Sequence, residues 1–440
     1  MVLGEENMKT KNYLMSIVCV YMCYLTHGIQ AIILSQNNIN FATQWGFDMS
    51  TPDSAAYAAG LAAVSTAVAW VGFGKFVSVW IGGEISDRVG RKKLMIGGAL
   101  LYILCFIGFL TTKSAMVASI CGFLSGVATS GFWDAAGYPA VQEAYPKAPG
   151  SALIGIKFFV SLSGMIYPLF AVQMAASGNW KMNIMLPLVM SVICLVLAVI
   201  VPFAYDDKKK AATGEDGSHK QNAAQAEIEA AKAAMLVKPS KFVVFLVMFY
   251  AFLCMSIMYG AQQYTKAFGM AVCGLTELQA AGMTSVYTIG SICAVVFWAF
   301  MMAKLKWNPL KVVLIDSIFT AVALLGVLFI QQVIIIYIAI AMLGFFAAGG
   351  ALQTGLAVVQ MFNPGPKGRN TGIYYTFMGA ASYLIPVVAA QLTKMSGEEN
   401  AIYTLMIMLL VFAVLAILSS LYLVKQHTKI FGKSALAKQQ

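Results

Sequence analysis

Apolar residues gather in twelve long runs, near 12–35, 57–82, 94–112, 115–138, 151–176, 181–204, 240–265, 280–303, 311–331, 334–360, 369–393 and 401–424. A helix needs about 20 such residues to cross the hydrocarbon core of a bilayer, and 440 residues leave room for about twelve crossings with short loops. The pattern predicts an all-α integral membrane protein with twelve transmembrane helices, spans one to twelve. One long polar stretch, 205–239, interrupts the pattern with Lys208, Lys209, Lys210, Glu215, Asp216, Glu227, Glu229 and Lys232. It divides the chain into an N-terminal six-helix bundle (1–204), a linker (205–239) and a C-terminal six-helix bundle (240–440). Within the linker, 221–235 is rich in Ala, Glu and Lys and favours a helix beside the membrane or in the cytosol.

The two halves repeat. Val141-Gln142, Pro146, Pro168 and Gln173 return as Val359-Gln360, Pro364, Pro386 and Gln391 at one constant spacing, because 359 − 141, 364 − 146, 386 − 168 and 391 − 173 all equal 218. Spans four and five therefore repeat as ten and eleven. His27-Gly28-Ile29-Gln30 finds its counterpart in Tyr259-Gly260-Ala261-Gln262, which pairs span one with span seven. Two parallel six-helix bundles around a central cavity are the architecture that alternating access requires.

Composition narrows the class further. With 60% hydrophobic residues, 11% charged residues and a mean hydropathy of +0.77, the chain cannot bury its apolar surface as a soluble domain. The net charge of +11 resides largely in short loops on one side, among them Arg88, Arg91, Lys92, Lys93, Lys304, Lys306, Lys311 and Arg369. Lys and Arg are retained on the cytoplasmic side, so both termini are expected there, in a cell (inner or plasma) membrane whose anionic lipid accounts for the charge. Nucleic acid is not an expected partner. The first apolar run lacks a small-residue cleavage site and reads as a retained span rather than a signal peptide. The eight cysteines fall almost wholly inside apolar runs without metal-ligand spacing, so neither disulfides nor a metal are expected. No phosphate loop and no hydrolytic or redox constellation occurs, which predicts a protein that is not an enzyme and carries no cofactor.

Between spans two and three lies Gly83-Glu84-Ile85-Ser86-Asp87-Arg88-Val89-Gly90-Arg91-Lys92-Lys93. It reads as a tight turn in which Gly90 permits positive φ and Asp87 caps a helix start. The stretch resembles the G-x-x-x-D-R-x-G-R-[RK]-[RK] loop of the major facilitator superfamily of secondary transporters. The corresponding turn of the second half, Lys304-Leu305-Lys306-Trp307-Asn308-Pro309, is degenerate. On span four, Asp134-Ala135-Ala136-Gly137-Tyr138-Pro139 is similar to the Glu-x-x-x-Asn-Pro stretch of the fucose:proton symporter family, where the acidic residue is the proton site. Here Tyr138 replaces the asparagine and Ala31 replaces a helix-one aspartate. The resemblance implies proton coupling at Asp134 and leaves a fucose-like substrate in doubt.

Ionisable groups inside spans are costly and therefore functional candidates. In a low-dielectric bundle desolvation favours the neutral acid, so a carboxyl group can load and release a proton near neutral pH. Asp134 fits that role; alternatively it pairs with Lys157 of span five or is solvated. Lys157, about 9 to 10 Å into its span, either snorkels or binds solute, and its repeat mate is Tyr374. His27, Gln30, Tyr259, Gln262 and Gln263 offer neutral donors and acceptors suited to a polyhydroxylated solute. Trp133, Tyr138, Tyr287, Trp298 and Tyr383 are candidates for stacking on a ring. Asp87, Arg88, Arg91, Glu143 and Arg369 form the expected gate, with Glu143 bonding either to the basic turn or to Arg369. The expected function is proton-coupled uptake of a small polar solute such as a sugar, polyol or hydroxy acid by a transporter working as a monomer. The alternative is proton-antiport export of drugs or metabolites.

Overall fold

The computed structural model describes residues 13–437 apart from 53, 146–148, 212–228, 230–231, 331 and 366, and among the described residues no strand occurs. The first half carries spans Leu14–Gln36, Ala55–Val89, Arg91–Thr111, Ala115–Ala144, Pro149–Ala176 and Met182–Ile200. The second carries Lys241–Ala271, Glu277–Lys304, Pro309–Phe329, Val333–Phe362 and one continuous 65-residue segment, Lys367–Phe431. Gly397 breaks that last segment at φ 78° and ψ 174°, a non-helical geometry that costs glycine little. It is therefore spans eleven and twelve joined without a loop, and the described residues then hold twelve helices long and apolar enough to cross a membrane, as expected.

Apolar side chains face both ways. Each half packs a separate core, around Tyr102, Phe106 and Trp133 in the first and around Phe268, Leu343 and Leu405 in the second. Large apolar groups such as Trp80, Ile200 and Phe329 point outward, as a helix surface solvated by lipid acyl chains requires.

The repeat has a backbone signature. Span four widens to a π-helix over Ala128–Asp134, and span ten does so over Gly344–Gly350. Such wide turns are rare and concentrate at functional sites.

The basic turn is shorter than its sequence suggests. Residues up to Val89 remain helical because nothing before Gly90 breaks the ladder, and Gly90 alone reverses the chain at φ 105°. Its helix-start donor is also satisfied differently: the backbone N–H of Lys92 donates to Asp206 at 3.0 Å, while Asp87 takes the Arg91 guanidinium. Asp206 belongs to the short helix Ala204–Ala211 that opens the linker. The helix expected over 221–235 lies, except for its end, outside the described residues. Both ends of the described chain sit at the end of the bundle that carries the basic turn. Tyr13 donates to Asp207 at 3.3 Å, and the N–H of Leu236 donates to the carbonyl of Ile430 at 2.7 Å.

The polar bonds that cross between the halves lie toward the other end. Lys266 donates to the Gln36 carbonyl and to Glu277, each at 2.7 Å. Gln263 donates to the Ala31 carbonyl at 2.7 Å, and Gln36 donates to Thr284 at 3.3 Å. Deeper, spans two and eleven touch backbone to backbone: a Cβ on Gly72 would collide with Ser382. The molecule is thus shut at the end remote from the basic turn.

Candidate functional site

Asp134 closes the π-helical turn of span four. Tyr24 of span one donates to its Oδ1 at 2.9 Å and Ser130, one turn back, donates to its Oδ2 at 3.0 Å. The wide turn places Ser130 and Asp134 on one face, and the Tyr24 hydroxyl also reaches the Trp133 carbonyl at 3.3 Å. The carboxylate is half-buried, and Tyr138, one turn further on, is 36% exposed although it lies inside a span. The charge that acts on Asp134 is Lys75, in the middle of span two. Lys75 is half-buried, and no ion pair within 4 Å or hydrogen bond of its ammonium group occurs among the described residues.

Lys157 is not that partner. It is half-buried on span five, and the neighbour on which its charge acts is Cys254 of span seven. His27 is half-buried and shares a network with Tyr102 at 3.1 Å and Thr129 at 3.4 Å. Gln30 is held inside the first bundle, donating to Ser125 at 2.9 Å and accepting from Tyr102 at 3.4 Å. In the second half, Tyr259 and Tyr374 are buried, Gln262 is half-buried, and Gln263 bonds across to span one as described. Asp134, Tyr24, His27 and Lys75 thus form one electrostatic neighbourhood, whereas Gln30 and Gln263 hold helices together. Among the stacking candidates Trp133, Tyr287 and Trp298 are core residues, and Tyr383 packs on Phe73 with ring centroids 5.2 Å apart. Tyr138 alone of these is exposed.

At the basic end, Arg91 gathers the expected gate. Its buried guanidinium donates to Asp87 at 2.7 Å, to Ser86 at 2.7 Å and to Glu143 at 3.0 Å, and it lies 4.2 Å over the Tyr205 ring. Arg88 reaches the exposed Glu84 at 3.5 Å. Each of these contacts stays within the first half and its linker. The side chain of Arg369 lies outside the described residues.

Three ionisable groups were legible by the same cost argument that selects Asp134 and yet do not stand out in the sequence: Lys75, Lys266 and Asp316. Each is a charge flanked by apolar and uncharged neighbours within a span, and a scan for such charges finds all three.

The sequence model of the Major Facilitator Superfamily matches residues 17–315 and 270–438. The chain belongs to the Major Facilitator Superfamily. It is a multi-pass membrane transporter and not an enzyme. Over 420 residues it is 24% identical to "Inner membrane transport protein YdiN" of Escherichia coli K12, covering 95% of this chain and 92% of the relative. A shorter match, 33% over 113 residues and 24% of this chain, is to "Multidrug transporter MdfA" of Shigella boydii. Among solved structures, a D-xylose-proton symporter superposes with a TM-score of 0.71 at 15% identity, covering 94% of this chain and 98% of that one, a likeness of fold.

Proposed function

We propose that this superfamily member imports a small polar solute together with protons, with Asp134 as the coupling site. The observation that supports this most directly is the Asp134 carboxylate itself: half-buried within a span, held by two hydroxyl donors and faced by Lys75. Loading a proton cancels its attraction to Lys75, so protonation and the positioning of that ammonium group are linked. Lys75 and Lys157 are two cations against one carboxylate. Desolvated charges are retained when something pairs them, and a solute carboxylate would do so, which favours a hydroxy acid over a neutral sugar or polyol. The basic end is taken as cytoplasmic from its Lys and Arg content, so the state described faces the cytoplasm. The functional unit is taken as the single chain.

The test is accumulation in liposomes under an imposed pH gradient, with hydroxy acids, sugars and polyols as solutes. Asp134→Asn removes the titratable proton and keeps the shape. It is expected to abolish uphill accumulation while retaining solute exchange, and unchanged accumulation with unchanged pH dependence would sink the assignment. The second reading, export by proton antiport, draws on the MdfA-like segment. It predicts that the same gradient expels solute from inside-out vesicles.

A further inference from the structure

Asp316 lies seven residues into span nine, about 10 Å along the helix axis from its start. The residue is 1% exposed, and the polar group that approaches its carboxylate is the Trp298 indole N–H, which falls short of a geometrically formed hydrogen bond. Span ten meets it with the π-helical turn, where Gly350 leaves room: a Cβ there would sit 2.5 Å from Asp316 Oδ2 and 2.6 Å from the Trp298 indole nitrogen. A narrow cavity of about 10 Å³, room for about one water, lies beside it, lined by Tyr250 and Cys254 of span seven, Ser317 and Thr320 of its own span, Phe346 of span ten and Ala416 of span twelve.

The groups with charge or titratable protons that face this pocket are few. Span seven presents Tyr250 and Cys254, span eight presents the Trp298 N–H, and spans ten and twelve present none. Beyond Cys254, on the first half, stands Lys157. No basic residue is paired with Asp316 among the described residues. An ionised carboxylate so placed would suffer several kcal/mol of uncompensated desolvation, and a sodium ion would need five or six oxygen ligands from a wall that is half apolar.

We propose that Asp316 is a second proton-binding site, inside the second bundle, which holds a proton in the state described and gives it up when the bundles rock. On discharge the carboxyl O–H bond breaks and the proton passes to water entering the cavity. The carboxylate left behind is then balanced by Lys157, with Trp298, Ser317 and Thr320 as donors. The proposal rests on the transporter reading, and it does not require Asp134 to be the coupling site.

Two measurements on the full chain in liposomes test it. The first is labelling by dicyclohexylcarbodiimide, which attacks protonated carboxyl groups in apolar surroundings, read by mass spectrometry on the Asp316 peptide of the unaltered protein. Labelling is expected to fall at least about tenfold between about pH 5 and about pH 9. The second is infrared difference spectroscopy. The carbonyl band of a protonated acid should vanish in Asp316→Asn, persist in Asp134→Asn, and titrate over the same range. A peptide that never labels, or a band that stays constant across the whole range, overturns the proposal. So does a band displaced by sodium at fixed pH. If Asp316 titrates while Asp134→Asn still accumulates solute, the reading of Asp134 falls and this one stands. The reverse pattern removes only this one.

Discussion

The two halves share a backbone and differ in what they do with it. Each opens a wide helical turn at the repeat-related place, in span four and in span ten. In the first half that turn presents Asp134 to two hydroxyls, a lysine and an exposed tyrosine. In the second it packs against Asp316, which is buried beside the Trp298 indole. Duplication transmits helix geometry reliably, because packing depends on the volume and small-residue contacts that both halves retain. The polar chemistry is set by single positions and diverges freely.

Substitutions can break or sharpen that contrast. The largest effect belongs to Asp134→Asn, with accumulation down at least about 100-fold, equivalent to about 2.7 kcal/mol of lost coupling. Asp316→Asn should leave downhill exchange intact, and paired liposome assays compare the two directly. Next come the two turns. Arg91→Ala strands the partly buried Glu143 and should cost about 2 kcal/mol, seen as a lower Tm of the purified protein. At the degenerate turn Lys311 lies 4.0 Å over the Trp307 ring, and Lys311→Ala should cost under about 1 kcal/mol by the same measurement. An equal loss at both turns would deny the asymmetry. Tyr24→Phe removes one donor from the Asp134 carboxylate and should change the pH dependence of uptake by about 1 to 2 kcal/mol, without change in Tm beyond about 1 kcal/mol. The last test concerns the closed end. Lys266→Met deletes the bond to Gln36, while Glu277, 41% exposed, stays solvated. The population open at that end should rise about tenfold, read as accessibility of a cysteine placed at Asn38.

Much of this molecule was written in its hydropathy. The twelve long apolar helices follow from apolar runs and turn residues, which act locally. The basic turn was legible as chemistry but not as geometry. Helix continuation to Val89 and the reach of Asp206 depend on the whole bundle, so Asp87 pairs with Arg91 in place of capping the next helix. The π-helical turns left no local mark, since i→i+5 bonding is imposed by neighbours. Lys75 was hidden for a related reason: one charge in a 35-residue span barely alters its hydropathy, and only folding brings span two beside span four. Gln30 shows the converse, a polar residue at an inviting position whose hydrogen bonds are consumed inside its own bundle.

The elbow at Gly397 has a mechanical meaning. Spans eleven and twelve meet there with no slack, so neither can slide without dragging the other. Span eleven rests on span two at Ser382 and Gly72, and Tyr57, at the start of span two, stands beside Glu398 immediately past the elbow. A push from the first bundle therefore arrives on two spans at once, through a joint that behaves as a stiff crank. The second bundle can turn as a block, carrying Asp316 with it.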